Sequence, residues 1–441
     1  MIRKLISRVL RLPISGEHKA RPKVIPFAQH GVRRDQMSSP ALKVVAALQQ
    51  AGFQAFIVGG AVRDALLGLT PKDFDVATNA TPEQVHHLFR RSRIIGRRFR
   101  IVHVTLEREV IEVTTFRGGQ ESVTDAQGRI LHDNVFGSQA EDASRRDFTA
   151  NALFFNPTDE TIIDYHHGVR DIKQQKLVMI GNPTQRYRED PVRLLRAVRL
   201  SAKLGLEIDE PTRKPIAELA DLLRNVPAAR LFDEMLKMMF SGHAYACIRR
   251  LRSEGLHHGI FPLLDAIGID DEVGHEFVRL ALESTDSRVQ QDKPVSVGFL
   301  LAALLWHQVR VRWQTIQEQG EKSTPALFLA MSDVEAEQDE QLAIPRRFSA
   351  TMREIWATQP RFEQRSGQRP FRLLEHPRFR AGYDFLVLRA EAGEVDAELA
   401  QWWETFQFAD PATQQSMLIR EERSPRKRPR QRRRRKPSAE A

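Results

Sequence analysis

Two aspartates stand two residues apart in Asp73-Phe74-Asp75, downstream of Gly59-Gly60 and of an Arg63-Asp64 pair. On a strand, that spacing turns both carboxylates to one face. Like charges held together are costly unless a cation joins them, and Mg2+ commonly takes one or two carboxylates plus substrate phosphates. The pair can thus hold Mg2+ or Mn2+, one ion activating an attacking hydroxyl and a second stabilising a leaving pyrophosphate. The glycines follow a buried apolar run, Phe53 to Val58, and let backbone N–H groups come close to phosphates. Singly these signals are weak, since an isolated Asp-x-Asp or Gly-Gly is most often just a turn. Fourteen residues apart and bracketing Arg63-Asp64, they form a specific combination.

Three further blocks carry charged and polar residues at close spacing. Ile111-Glu112-Val113-Thr114-Thr115-Phe116-Arg117 reads as a strand. Arg145-Arg146-Asp147-Phe148-Thr149-Ala150-Asn151 follows, and then Glu189-Asp190-Pro191-Val192-Arg193-Leu194-Leu195-Arg196-Ala197-Val198-Arg199. Asp190, Arg193 and Arg196 are three apart, which makes them neighbours along a helix face. Taken alone, the same pattern is a surface helix of salt bridges.

Together these blocks resemble the second class of the polymerase-beta-like nucleotidyltransferases, which holds the bacterial poly(A) polymerases and the CCA-adding enzymes of tRNA. The resemblance covers roughly residues 37–410. It implies a two-metal nucleotidyl transfer on Asp73 and Asp75. It implies that Gly59, Gly60, Arg63, Asp64, Arg146 and Asn151 hold the nucleotide, with bracing of Asp64 as the alternative role for Arg63. Asp190, Arg193, Arg196 and Arg199 match the block that reads the base. Asp147 is preferred as the third carboxylate because it matches the Arg-Asp motif; Glu112, on a strand, is its rival.

Within that class the details favour the poly(A) polymerases. Ile94 to Ile101 resembles their basic segment, and six of the eleven residues Arg90–Arg100 are arginine. Such density, with Arg97, Arg98 and Arg100, suits a surface that tracks phosphates. Leu342-Ala343-Ile344-Pro345 and Leu373 to Arg380, with Tyr383 to Leu386, resemble their C-terminal region. An arginine-rich tail carrying Arg432, Arg433, Arg434 and Arg435 is a further likeness. His257-His258 lacks the partner Asp of the phosphohydrolase domain found in some CCA enzymes. The expected activity is template-free addition of AMP from ATP to RNA 3′ ends, on mRNA and other transcripts, with release of pyrophosphate, promoting RNA processing and decay. The alternative is tRNA CCA addition. A catalytically dead RNA-binding factor is opposed by the intact Asp73/Asp75 pair. RNA-decay machinery or an RNA chaperone is an expected partner, and no stable oligomer is expected.

The elements that must position these residues follow from local pattern. Strands alternate with helices through about residue 160, and Thr81-Pro82-Glu83 carries a helix-start signature. Residues 118–134 are polar and read as a mobile loop. After Asp190, apolar residues recur at three- and four-residue spacing in Pro191–Leu204, Ile216–Leu223, Ala229–Phe240, His243–Glu254 and Gly298–Gln317. The expected fold is α+β: a small α/β nucleotidyltransferase head followed by an all-helical neck, body and C-terminal region, with disordered basic arms. The expected boundaries are arm 1–36, head 37–160, neck 161–232, body and RNA-binding C-terminal domain 233–410, and tail 411–441.

The 441 residues carry 67 basic and 57 acidic side chains, a net charge of +10. Residues 423–436 alone supply 10 basic residues and no acid, and residues 1–36 hold 9 basic against 2 acidic. The basicity therefore sits in two arms, as expected for polyanion-binding tails. Ile2, Leu5, Ile6, Val9 and Leu10 alternate with Arg3, Lys4, Arg8 and Arg11. That helical spacing is compatible with RNA, a partner or a membrane surface, although a loose, solvated terminus is the plainer reading. No apolar run of ~18 residues suggests a membrane span. A single cysteine, Cys247, excludes an intrachain disulfide and a thiolate-rich zinc site; a reducing, cytoplasmic setting is expected.

Overall fold

The computed structural model describes residues 21–96, 100–118, 123–124, 130–132, 136–256, 272–342 and 344–419. The chain divides into two compact units, residues 1–264 and 265–441.

The first unit is built on a mixed sheet. Its strands are β1 (Lys23–Ile25), β2 (Ala55–Val58), β3 (Asp75–Thr78), β4 (Ser92–Ile95), β5 (Ile101–Leu106) and β6 (Glu109–Thr115). A small hairpin, β7 (Val123–Thr124) with β8 (Ile130–His132), stands apart, and β9 (Leu153–Asn156) and β10 (Thr161–Asp164) complete the sheet. The order is β1-β10-β9-β2-β3-β6-β5-β4. β3 and β6 run parallel, so the chain must cross over between them, through the helix Pro82–Leu88 and the β4–β5 hairpin. Thr81 caps that helix by accepting from the Gln84 N–H, as its sequence signature predicts.

The apolar pattern sorts the two faces. Ile57, Val76, Val113 and Val102 share one face and enter the main core with Val44, Val45 and Leu48 of the helix Ser39–Gln50. Phe56, Val58 and Ala77 lie on the other face, in a smaller cluster with Phe116, Ala143 and Phe154. That second face also carries Asp75, Glu112, His103 and Arg93, with Ile95 and Val110 exposed among them, and the candidate site lies there.

Three local expectations change. Asp73 precedes β3, because pairing with β2 begins at Asp75 opposite Val58 and β2 stops there at Gly59. The sheet also outruns the expected head at both ends, since β1 lies in the range assigned to the arm and β10 follows residue 160. The polar stretch 118–134 contains the short β7–β8 pair.

Beyond residue 182 the first unit is mainly helical. Helices Pro183–Glu189, Val192–Leu204, Ala228–Met239 and Ala244–Ser253 pack together, and Leu194, Leu195, Ala197 and Val198 bury one face of the second. A two-residue parallel pair, β11 (Lys176–Leu177) with β12 (Glu207–Ile208), interrupts the helical run. Asp190 is extended, at φ −148°, and stands between the first two helices. A residue before proline is driven out of the helical region, so Pro191 places Asp190 at a junction and not on the helix face that its spacing suggests.

The described part of the second unit is helical: Glu272–Gln290, Val297–Glu318, Ser323–Leu342, Arg346–Phe362, Arg369–Leu374, Phe379–Glu391, Ala397–Phe408 and Pro411–Met417. Phe362, Phe379, Tyr383, Trp403 and Phe406 form an aromatic core. Arg389 and Glu394 are buried as a pair, with both Glu394 oxygens accepting from the Trp306 indole at 2.9 Å; a buried charge needs such partners. No helix among the described residues is long and apolar enough to cross a membrane. The expected α+β organisation, a mixed-sheet head with a helical remainder, is borne out. The N-terminal helical spacing, Arg97, Arg98, His257-His258 and Arg432 to Arg435 lie outside the described residues.

Candidate active site

Register places the carboxylates. Asp75 opens β3 directly beside Glu112 of β6, and both face away from the main core. Burial pushes the Asp75 carboxyl up to about 6, with the charge of Glu112 adding to it, Arg146 opposing and Asp73 adding more. Asp73 and Glu112 are exposed. Burial is the larger cause of that rise and the neighbouring carboxylates the smaller; a cation beside Asp75 would favour its charged form against both. Among the described residues no group of three His, Cys, Asp or Glu side chains is placed to hold a metal ion unaided. Mg2+ takes one or two carboxylates and completes its shell with water and substrate oxygens, and Asp73 with Asp75 offers carboxylates of that number.

Gly59 sits at the edge of this group. Its φ of +76° lies in the left-handed region, where a side chain would be strained. A Cβ there would also stand 3.5 Å from a guanidinium nitrogen of Arg146. The Gly59 N–H is spent on Leu153 C=O at 3.2 Å. The following helix, Gly60–Leu66, starts its own ladder at the Arg63 N–H to Gly59 C=O bond, so the amides before Arg63 lie outside that ladder.

Arg63 is a brace. It is buried, donates from Nε to Asp64 at 2.8 Å and from Nη1 to the Asn151 side chain at 2.7 Å. Asn151 in turn donates to Asp147 Oδ1 at 3.0 Å, and Arg196 Nε donates to Asp147 Oδ2 at 2.8 Å. One polar chain thus runs from Asp64 through Arg63, Asn151 and Asp147 to Arg196 on the helix Val192–Leu204. Burial alone would raise the Asp147 carboxyl, but Arg196, the Asn151 amide and the Phe148 N–H hold it at about 2. Both Asp147 oxygens are therefore engaged, whereas Glu112 is the carboxylate in register with Asp75.

Arg146 donates from Nε and Nη2 to Asp142 Oδ2 at 3.1 and 3.0 Å and reaches the Asn151 carbonyl at 3.3 Å. Asp190 accepts from Arg230 Nη2 at 3.0 Å on each oxygen. Arg193 donates to the Arg186 carbonyl at 2.7 Å and lies 3.2 Å from Glu189. Arg199 is paired with Glu234 at 2.5 Å, both largely buried, and Arg100 with Glu83 at 2.5 Å.

Four groups at the site escape sequence reasoning. Arg230 holds Asp190 from 40 residues away. Arg186 grips the Arg145 and Arg146 carbonyls at 2.8 and 2.7 Å, fixing the turn before Asp147. His103 faces Glu112 across the β5–β6 pair. Lys203 is half-buried, and burial lowers its ammonium while Asp64 and Asp73 oppose that shift. No local signal marks any of the four, because each is defined by a partner distant in sequence.

The chain matches three family models: the poly(A) polymerase head domain over residues 55–178, the probable RNA- and SrmB-binding site of polymerase A over 205–267, and the polymerase A arginine-rich C-terminus over 319–437. It is 47% identical over 439 residues to poly(A) polymerase I of Escherichia coli O157:H7, covering 96% of this chain and 94% of the relative. It is 44% identical over 411 residues to poly(A) polymerase I of Haemophilus influenzae, covering 90% and 91%. The CCA-adding enzyme of Enterococcus faecalis is 35% identical over 256 residues, which is 55% of this chain and 62% of that one. Among solved structures, a tRNA-processing enzyme in an apo form aligns with a TM-score of 0.60 at 20% identity, over 86% of this chain and 97% of that one. The Thermotoga maritima CCA-adding enzyme complexed with tRNA aligns with a TM-score of 0.56 at 17% identity, over 88% of each. These two likenesses show a shared nucleotidyltransferase fold. By its near-full-length identity to those relatives, the chain belongs to the poly(A) polymerase family.

Proposed function

We propose that the chain adds AMP from ATP to RNA 3′ ends without a template, through a site centred on Asp73, Asp75 and Glu112. The observation that carries the residue assignment is the Asp75–Glu112 register, with the Asp75 carboxyl pushed up to about 6 beside Asp73 and Glu112. Asp73 and Asp75 would hold Mg2+ or Mn2+ together with triphosphate oxygens, and Glu112 is the third carboxylate in place of Asp147. Bound cations would activate the RNA 3′-hydroxyl and stabilise the departing pyrophosphate. The O3′–P bond forms at the α-phosphate as the bond to pyrophosphate breaks. Arg146, beside Gly59, steadies the triphosphate, and Lys203 adds positive charge from the neck. Arg63, Asn151 and Asp147 fix the geometry without touching substrate. Asp190 and Arg193 read the adenine edge, with Arg196 and Arg199 as structural ties of their helix.

The arginine-rich tail, matched by its own family model, serves as a sequence-blind RNA tether, since phosphate contacts position without specifying. A role in RNA processing and decay, with a protein partner at the neck, accords with the model matched over residues 205–267. The test uses purified full chain, Mg2+ and an oligo(A) primer with ATP or CTP in turn. Long ladders with ATP are expected; short, capped addition confined to tRNA would mean CCA addition, and no product would mean a binding protein.

A further inference from the structure

A polar row crosses the sheet from the reaction centre to its edge. Asp75 pairs with Glu112, Glu112 with His103, and His103 with Arg93 of the edge strand β4. Cross-strand partners share a face, and strands lie about 4.8 Å apart, so Arg93 stands roughly 14 Å from Asp75. Burial alternates accordingly: Val102, Val104, Ile111 and Val113 are buried, while Arg93, Ile95, Val110 and Glu112 are exposed. His103 Nε2 lies 3.3 Å from a Glu112 oxygen, enclosed and without a hydrogen-bond partner.

Two features of this face are not needed by the fold. Ile95 is 41% and Val110 50% exposed, on the face opposite the main core. The row is also polarised, with carboxylates at one end and Arg93, flanked by exposed Arg90 and Arg91, at the other. An exposed, partly apolar edge strand is a liability unless something uses it.

We propose that this outward face of β4, β5 and β6 is the track along which the last nucleotides of the RNA reach the site. This rests on the reading that Asp73 and Asp75 mark the reaction centre. Charge sets the direction: the uncharged 3′-hydroxyl points to the carboxylates, and an upstream phosphate rests on Arg93. Ile95, Val110 and the His103 ring take the flat faces of bases, which every base offers, so the track is sequence-tolerant. Sheet faces serve single-stranded RNA in this way elsewhere.

The test compares full-length wild type with Arg93→Ala, Arg93→Lys and Ile95→Asp, by titrating a labelled oligo(A) primer at several salt concentrations. Arg93→Ala should weaken binding and reduce the slope of log K against log salt by about 0.7, the value of one single-strand phosphate contact. Arg93→Lys should restore the slope. Ile95→Asp should weaken binding beyond the salt effect of its added charge, and the KM for ATP should stay unchanged in all three. A primer with a photoreactive penultimate base should crosslink within residues 91–112. Wild-type affinity and slope in Arg93→Ala, or crosslinks confined to other segments, would overturn the track. Binding is read without turnover, so a failed metal assignment would appear in activity and a failed track in affinity.

Discussion

Arg196 of the helix Val192–Leu204 donates from Nε to the Asp147 carboxylate at 2.8 Å, and its Nη2 lies 2.6 Å from the same oxygen. The pair ties the neck to the turn that follows Arg146. Removing one partner of a fully buried pair costs about 3–5 kcal/mol, because the other charge is left uncompensated; the Arg196 side chain is 32% exposed, so water offsets part of that cost. Asp147→Ala should therefore lower the thermal midpoint, by less than the full figure. The Asp147 carboxyl is held below its unfolded value, at about 2, so its stabilisation is present above the unfolded pKa and is lost as pH falls through the folded one. Wild type should lose this contribution between about pH 4 and 2, and Asp147→Ala should lack that part of the acid transition. Melting curves across that window check it.

Glu112 and Asp147 make opposite predictions as third carboxylate. Glu112 is exposed and in register with Asp75; Asp147 is buried and fully bonded. Glu112→Gln should cut kcat at least a hundredfold, on the order of several kcal/mol for a metal step, and leave the melting temperature within a degree or so. A large loss of stability with little change in kcat would exchange the two roles.

Asp75 should strain the metal-free protein. Its folded pKa, about 6, lies above the ordinary 3.8. A raised carboxyl favours the folded state below the unfolded pKa, and that advantage is lost as pH rises through the folded pKa. The full shift is worth about 3 kcal/mol as an upper bound, reduced by solvent screening. Without metal at pH 7.5, Asp75→Asn should melt a few degrees above wild type, and the gap should close below about pH 4. Mg2+ should raise the wild-type midpoint and leave the variant unmoved. An Asp75→Asn variant that melts below wild type at pH 7.5 would contradict this.

Asp190 is held by Arg230, and Arg193 by Glu189 and the Arg186 carbonyl. Both are thus positioned before any nucleotide arrives. Base contacts of this kind discriminate by about 1–3 kcal/mol each. Arg193→Ala should raise the KM for ATP and narrow the gap between ATP and CTP. Arg230→Ala should narrow it too, through Asp190, with a smaller change in KM for CTP. An ATP:CTP ratio unchanged in both would mean that other residues read the base.

Local patterns in the sequence were informative where the causes are local. Apolar runs and the Thr81-Pro82-Glu83 cap marked the elements, and Gly59, with its positive φ, marked the bend behind the carboxylates. Register and distant partners were not legible. Asp73 looked like a strand residue because nothing local shows that pairing with β2 begins only at Asp75. Asp190 looked like part of a helix face, although Pro191 beside it signalled the break. Asp147 was singled out by its motif, and its bonds to Arg196 and Asn151 depend on how the neck meets that turn, which no local pattern shows. Arg230, Arg186, His103 and Lys203 acquire their meaning from partners 9 to 41 residues away or more, a separation that periodicity does not reach.

Asp73→Asn and Asp75→Asn carry the central claim, because each removes a proposed metal ligand and little packing. The measurement is AMP incorporation from ATP into an oligo(A) primer at saturating Mg2+, with primer affinity measured in parallel. Each variant should retain under ~1% of wild-type turnover, as expected for a metal step worth several kcal/mol, with primer affinity near wild type. Turnover well above that level in either variant, with the protein folded and RNA bound, would contradict the assignment of the reaction centre to this pair.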